Sequence, residues 1–276
     1  MLIWGTIGIF RKYIPVSSAF LAFSRGMLGG LFMLAFVLLK RKRPAEKLPT
    51  RPAIWLAATG AVMGINWILL FKAYNYTTIA VATLCYYMQP TIVMLLSPVI
   101  FREKLTGKKT VCAAFAIIGM ILISGVIGDR QEGSITGVLL GLSAAVLYSA
   151  VVIMNKRISG VDAYRKTTIQ LFSAGIVMLP YILLTEGSGI TDFSTGTVSL
   201  LLIVGILHTG IAYLLYFGSI EGLKAQSIAI LSYIDPVSAL VFSAIFLRER
   251  LEVMTVIGAI LIIGSAVISE TQTDKD

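Results

Sequence analysis

The sequence predicts an all-α integral membrane protein of ten transmembrane helices, laid out as two inverted five-helix repeats with both termini cytoplasmic. Three observations lead there. The first is composition: 57% of the residues are hydrophobic, 13% are charged, and the mean hydropathy is +0.88. A soluble chain of 276 residues cannot bury that much apolar surface, so its solvent must be largely lipid. The second is that apolar runs of membrane-crossing length recur along the whole chain. The third is an internal repeat. The stretch YYMQPTIVMLLSPVIFREKL, residues 86–105, returns as SYIDPVSALVFSAIFLRERL, residues 232–251. A shift of 146 brings Tyr87 onto Tyr233, Gln89 onto Asp235, Pro90 onto Pro236 and Arg102-Glu103 onto Arg248-Glu249.

A helix needs roughly 20 apolar residues to cross about 30 Å of hydrocarbon. Nine runs qualify: residues 17–39, 53–71, 77–101, 107–127, 135–155, 167–185, 197–220, 225–247 and 253–269. Residues 1–14 make a tenth, shorter run. About 14 residues at 1.5 Å each reach only about 21 Å, so either this helix enters at a tilted or thinned site or the natural start lies upstream, and the second is the expectation.

Lysine and arginine set the orientation. With the N-terminus inside, the inner segments (40–52, 102–109, 156–166, Lys224 and the tail) carry sixteen basic residues and the outer segments six. That asymmetry places both ends in the cytoplasm. It also accounts for the net charge of +9, which in a soluble protein would suggest nucleic acid; here no nucleic-acid partner is expected. Cys85 and Cys112 both lie in apolar runs, where they are packing residues rather than a disulfide framework or a metal site.

If each copy holds five helices, an odd number, the second copy starts from the opposite face. The expected repeats are residues 1–127 and 135–269, inverted relative to each other, an architecture that many secondary transporters use for alternating access. Gly64 and Phe71 meet Gly210 and Phe217 at the same shift. Arg102-Glu103 then lies inside and Arg248-Glu249 outside, so the pair is no membrane address. Each glutamate is expected to cap the next helix, where a carboxylate satisfies orphan N–H groups. Small residues four apart, Gly26/Gly30, Gly60/Gly64 and Gly133/Gly137/Gly141, fit close helix packing.

Ionisable side chains deep in a bilayer are costly and mark function by default. Asp235 sits near the middle of its run, beside Pro236. Proline lacks the N–H that would continue the helix, so a break or kink is expected there, with Asp235 facing a hydrated cavity. The structural alternative is a carboxyl bonded to neighbouring backbone. His208, the single histidine, is a proton-coupling candidate with Asp235; alternatively its ring ties two helices together. Arg25 either grips an anionic group by its planar fork or bonds to backbone carbonyls. Asn66 and Gln89 are the uncharged polar candidates nearest midspan, with Asn155 and Gln170 further out. Trp4, Trp67, Tyr86, Tyr87, Tyr148, Tyr213 and Tyr233 gather near the same level. They suit a substrate with an apolar or ring-like part, or they fill helix contacts. No phosphate loop, metal helix or ligand-spaced cysteine pair occurs in the sequence, so neither enzyme chemistry nor a cofactor or metal is expected.

With these residues in order, the chain resembles the EamA-type, ten-helix branch of the drug/metabolite transporter superfamily. Trp4-Gly5, Arg25, and the paired Pro-to-Glu-x-Leu segments at 90–105 and 236–251 carry the likeness. The first run is shorter than the family's first helix. The resemblance implies a secondary transporter of the cell membrane. It would move a small metabolite, an amino acid or related compound, by export or exchange, with alternating access around a midplane cavity. Trp4, Arg25, Asn66, Tyr87, Gln89, Tyr148, Tyr213, Tyr233 and Asp235 are the candidate lining. The alternative is a passive facilitator or channel for small polar or cationic solutes. The expected partners are the substrate and the lipid bilayer, with the protein a monomer or weak dimer.

Overall fold

The structure is a computed structural model. It describes residues 1–39, 49–77, 82, 85–123, 134–185, 194–220, 222–247 and 253–270. Every regular element among these is helical: α1 (Leu2–Gly5), α2 (Ile7–Lys12), α3 (Ser18–Leu39), α4 (Thr50–Ala73), α5 (Gln89–Phe101), α6 (Gly107–Ile123), α7 (Ile135–Arg157), α8 (Ala163–Thr185), α9 (Thr195–Ile203), a π segment (Val204–Ile211), α10 (Ala212–Ile220), α11 (Ala225–Ser232), α12 (Ile234–Leu247) and α13 (Val253–Glu270).

Among the described residues, six helices are long and apolar enough to cross a membrane: α3, α4, α7, α8, the continuous stretch Thr195–Ile220, and Ala225–Phe246 across its break. Their outward side chains are what lipid requires. Leu39, Val99 and Leu184 are each more than four-fifths exposed, in company with many other large aliphatics. In water such an apolar exterior would drive aggregation.

The first run is a helix interrupted at Thr6, whose hydroxyl donates to the Ile3 carbonyl at 2.8 Å. The break expected beside Pro236 is present. Helix α11 ends at Ser232, Tyr233 forms the turn, and α12 restarts at Ile234. Its counterpart is equally broken: Tyr87 and Met88 form a turn before α5 restarts at Gln89. Pro90 and Pro236 both fall in the first turn of the restarting helix, where a missing N–H costs nothing because that N–H has no helical acceptor.

The chain divides into two compact units. Unit 1 comprises Met1–Ile9, Lys72–Ser149 and Leu223–Asp276; unit 2 comprises Phe10–Phe71 and Ala150–Gly222. Neither follows chain order.

In unit 1, α6 pairs with α13, α5 with α11, and α1 with α12. Its core centres on Ala116, Met120, Tyr233, Val237 and Ile262. In unit 2, α3 packs on α8 and on the π segment. Glycines on α3 and α4 bring backbones of this unit together. A Cβ at Gly29 would lie 2.8 Å from the Gly205 carbonyl, and one at Gly64 2.7 Å from the Ala174 carbonyl, so only glycine fits. Gly60 meets α8 in the same way at Gln170, and in unit 1 Gly137 and Gly141 lie against Thr77 and Cys85. Gly133, Arg248, Glu249 and the basic residues of 40–43 lie outside the described residues.

Candidate functional site

Unit 1 builds its polar cluster at the paired helix breaks. Asp235 is the second residue of α12, in the first turn, where exposed backbone N–H groups and the positive end of the helix dipole favour a carboxylate. The Tyr87 hydroxyl donates to its Oδ2 at 3.1 Å. The partner bond runs the other way across the repeat: Thr91 Oγ1 and the Tyr233 hydroxyl lie 2.6 Å apart. Each tyrosine of the matched pair thus reaches the first turn of the other copy's restarted helix. The acidic residue in the apolar run is accommodated by a helix start that the proline and the break create.

The remaining unit 1 candidates surround this pair. Gln89, the counterpart of Asp235, is buried at the start of α5. Its carbonyl accepts from the Ser149 hydroxyl at 3.1 Å, while its side-chain nitrogen has no hydrogen-bond partner among the described residues. Tyr148 is buried, 5.7 Å from the Tyr86 ring, and Tyr86 meets Tyr87 edge-on at 6.0 Å. Trp4 is half-buried in the same unit.

Unit 2 holds a basic cluster. Arg25 on α3 donates from Nε to Thr209 Oγ1 at 3.2 Å, and its guanidinium lies over the Trp67 ring at 5.4 Å. Thr209 belongs to the π segment and donates back to the Val204 carbonyl, five residues earlier, at 3.1 Å. A π turn widens the helix and recurs at functional sites; here it brings Thr209 to the arginine. Trp67 in turn lies 6.3 Å from Tyr213, which packs on Phe217. Asn66 and His208 are fully buried in this unit, with His208 edge-on to Phe10 at 4.8 Å. Gln170 Nε2 donates to Asn155 Oδ1 at 2.8 Å.

The candidates therefore fall into two groups rather than one. Tyr87, Gln89, Tyr148, Tyr233, Asp235 and Trp4 belong to unit 1; Arg25, Asn66, His208 and Tyr213 belong to unit 2. Asp235 and His208, read above as a pair, each have their own neighbours within their own unit.

Sequence reasoning missed four features. Thr91, the partner of Tyr233, carried no signal beyond its position one turn into the repeat. Lys166, counted as a loop charge, is buried at the start of α8. The π segment has no sequence marker. Finally, Glu103 caps a helix start far along the chain: its carboxylate oxygens accept from Ala225 N at 2.9 Å and Gln226 N at 3.3 Å, at the start of α11. Gln226 completes the joint by donating to Ser97 Oγ at 3.0 Å.

Helices of membrane length with lipid-compatible exteriors and polar groups gathered at helix interruptions describe a multi-pass transporter of the cell membrane. The EamA-like transporter family matches residues 1–125 and again residues 135–271, and the chain belongs to that family. It is similar to YxxF, an uncharacterized transporter of Bacillus subtilis strain 168, at 29% identity over 95% of this chain and 84% of that one. It is 26% identical to the PecM protein of Dickeya dadantii over 96% of this chain and 88% of its relative. A probable amino-acid metabolite efflux pump of Salmonella typhimurium is 30% identical over 68% of this chain and 66% of its own. A solved crystal structure, 20% identical, superposes with a TM-score of 0.84 over 97% of this chain and 94% of that one, which establishes the fold.

Proposed function

We propose that this transporter is a secondary carrier for an amino acid or a related carboxylate-bearing metabolite, and that Arg25 receives the carboxylate. One observation carries this reading. Arg25 uses Nε on Thr209 and rests its face on Trp67, and no described residue bonds to its Nη atoms. The four remaining N–H donors form the fork that grips a carboxylate in bidentate fashion. The Salmonella relative described as a probable amino-acid metabolite efflux pump supports the same substrate class.

Transport proceeds by alternating access between two inverted five-helix copies, residues 1–127 and 135–269, forming ten spans with both termini cytoplasmic. The protein works as a monomer or weak dimer. Asp235 carries proton coupling, because a carboxylate at a helix break can exchange its Tyr87 partner for water or a proton. His208 stays a packing residue against Phe10.

Counterflow of labelled amino acids in proteoliposomes is the test. A carrier shows transient overshoot; a channel for small polar or cationic solutes does not. Arg25→Lys, which keeps the charge but loses the fork, is expected to lower counterflow roughly 100-fold, the scale of a truncated buried charge contact. Wild-type counterflow in that variant would rule Arg25 out as the carboxylate site. Asp235→Asn should abolish dependence on a pH gradient while leaving exchange, and gradient-driven uptake that persists in it ends the coupling role.

A further inference from the structure

Arg25 is held from two sides by residues of its own unit, and the two holds leave its donors unequal. Its guanidinium lies over the Trp67 ring at 5.4 Å. Trp67 is itself seated against the α3 backbone, because a Cβ at Gly26 would come within 3.2 Å of its Cζ3. The plane of the guanidinium is therefore set from α4. The second hold is the bond from Nε to Thr209 Oγ1 on the π segment, 3.2 Å long.

Thr209 acts on Arg25 as an acceptor only. A threonine hydroxyl has one proton and two lone pairs. In an α-helix it spends the proton on a carbonyl three or four residues earlier. Thr209 spends it on Val204, five residues earlier, at 3.1 Å. That reach belongs to the π turn, which holds one residue more than an α turn. The lone pairs meet Nε–H, and Thr209 is fully buried, so bulk water does not compete for them.

A guanidinium can take a carboxylate in two bidentate ways, end-on through both Nη atoms or side-on through Nε and one Nη. With Nε committed to Thr209, the side-on edge is closed and the end-on edge remains. Freed of Thr209, the long side chain would offer two competing edges, and part of the binding energy would go into ordering it.

We propose that Thr209 is a positioning residue for transport: by occupying Nε it confines a substrate carboxylate to the end-on edge of Arg25. The inference deepens the reading of Arg25 as the carboxylate site, and rests on it, by assigning the docking mode to a residue that acts through the arginine. A plain structural tie between α3 and the π segment would instead lower transport of every substrate alike.

Counterflow in proteoliposomes of an equimolar pool of labelled amino acids, with the matching pool of α-amides as competitor, separates the two roles. The amides keep each side chain and amino group but lose the carboxylate. Thr209→Val keeps the shape of the side chain and removes the acceptor. It is expected to raise the half-saturating concentration of the acid pool about tenfold, the scale of a lost hydrogen bond to a charged group. Maximal rate and inhibition by the amide pool should stay within about twofold of wild type. Thr209→Ser, which returns the acceptor, should restore wild-type values; Thr209→Ala serves if the valine variant does not fold. Side-chain NMR follows the bond itself: the Arg25 Nε–H should exchange with solvent faster in Thr209→Val and not in Thr209→Ser. Unchanged half-saturation in Thr209→Val, equal losses for acids and amides, or a serine variant as weak as the valine one would overturn the proposal. If Arg25→Lys impairs acid counterflow while Thr209→Val does not, the docking assignment alone falls. Normal acid counterflow in Arg25→Lys, or none in the wild-type protein, removes the carboxylate reading and this inference with it.

Discussion

Both units set glycines against backbone, Gly119 against Gly258 in unit 1 and Gly29 against Gly205 in unit 2. They differ in their side-chain ties, which in unit 1 sit at two helix breaks and in unit 2 run from Arg25 to Thr209 and from Gln170 to Asn155. The unit 1 ties are Tyr87 to Asp235, Thr91 to Tyr233, and Glu103 to the start of α11. Such bonds can be exchanged for water, a proton or a ligand at modest cost, since each is worth little net once the alternatives are counted. The unit 2 contacts at Gly29 and Gly64 admit no alternative partner, because they depend on the absence of a side chain. Unit 1 has ties at its helix breaks that can be remade during a transport cycle; unit 2 carries the half-buried Arg25 fork on α3. The glycine contacts of both units should therefore govern stability, and the breaks of unit 1 should govern change of state.

The largest effect tests the frame. Gly29→Val places a Cβ 2.8 Å from the Gly205 carbonyl and 3.0 Å from the Gly210 nitrogen, both backbone atoms that cannot swing aside. A loss of about 3 kcal/mol is expected in reversible unfolding from lipid-detergent bicelles. Gly107→Ala is the control in unit 1. Nothing lies within 4 Å of its would-be Cβ, so the change should be neutral or stabilising by roughly 0.5 kcal/mol, through the lower entropy of the unfolded chain. Comparable losses at both positions would show that the glycine's close approach is not what holds the helices together.

A smaller effect concerns the Glu103 joint. Glu103→Ala removes the acceptor for two backbone N–H groups at the start of α11, and about 1–2 kcal/mol should be lost. The change is expected to stay local. Amide exchange should quicken across Ala225–Ser232 and remain slow in α8, and uniform loosening of both would show that the cap serves the whole fold.

Much of this architecture was legible because it follows from local chemistry. Hydropathy fixes where helices can cross lipid, and the apolar run Thr195–Ile220 was found almost to the residue. Proline's missing N–H located a break beside Pro236, which the structure places at Tyr233, whereas the matching break at Tyr87-Met88 was not anticipated. What stayed hidden was pairing at long range. The residue type of Glu103 announced a cap, but the helix it caps begins more than a hundred residues later, and local sequence cannot say which start lies within reach. Glycine spacing singled out Gly26 and Gly30, yet the closest approach in α3 is at Gly29, because facing direction depends on the neighbour. Burial of Lys166 and the π segment under Arg25 arise from the same tertiary constraints.

The smallest prediction separates the two tyrosines that the repeat makes equivalent. Tyr233→Phe deletes the hydroxyl that lies 2.6 Å from Thr91 Oγ1 in a fully buried setting. Hydrogen bonds between membrane helices average about 0.6 kcal/mol in double-mutant cycles, so a cycle with Thr91→Val should return a coupling of that order. Because Thr91 and Tyr233 are both neutral, the coupling should not vary with pH. The same cycle built from Tyr87→Phe and Asp235→Asn involves a carboxylate, and its coupling should shrink as pH falls and Asp235 takes up a proton. Equal, pH-independent couplings would make the two breaks functionally alike and would remove the reason for assigning proton movement to the one that carries the acid.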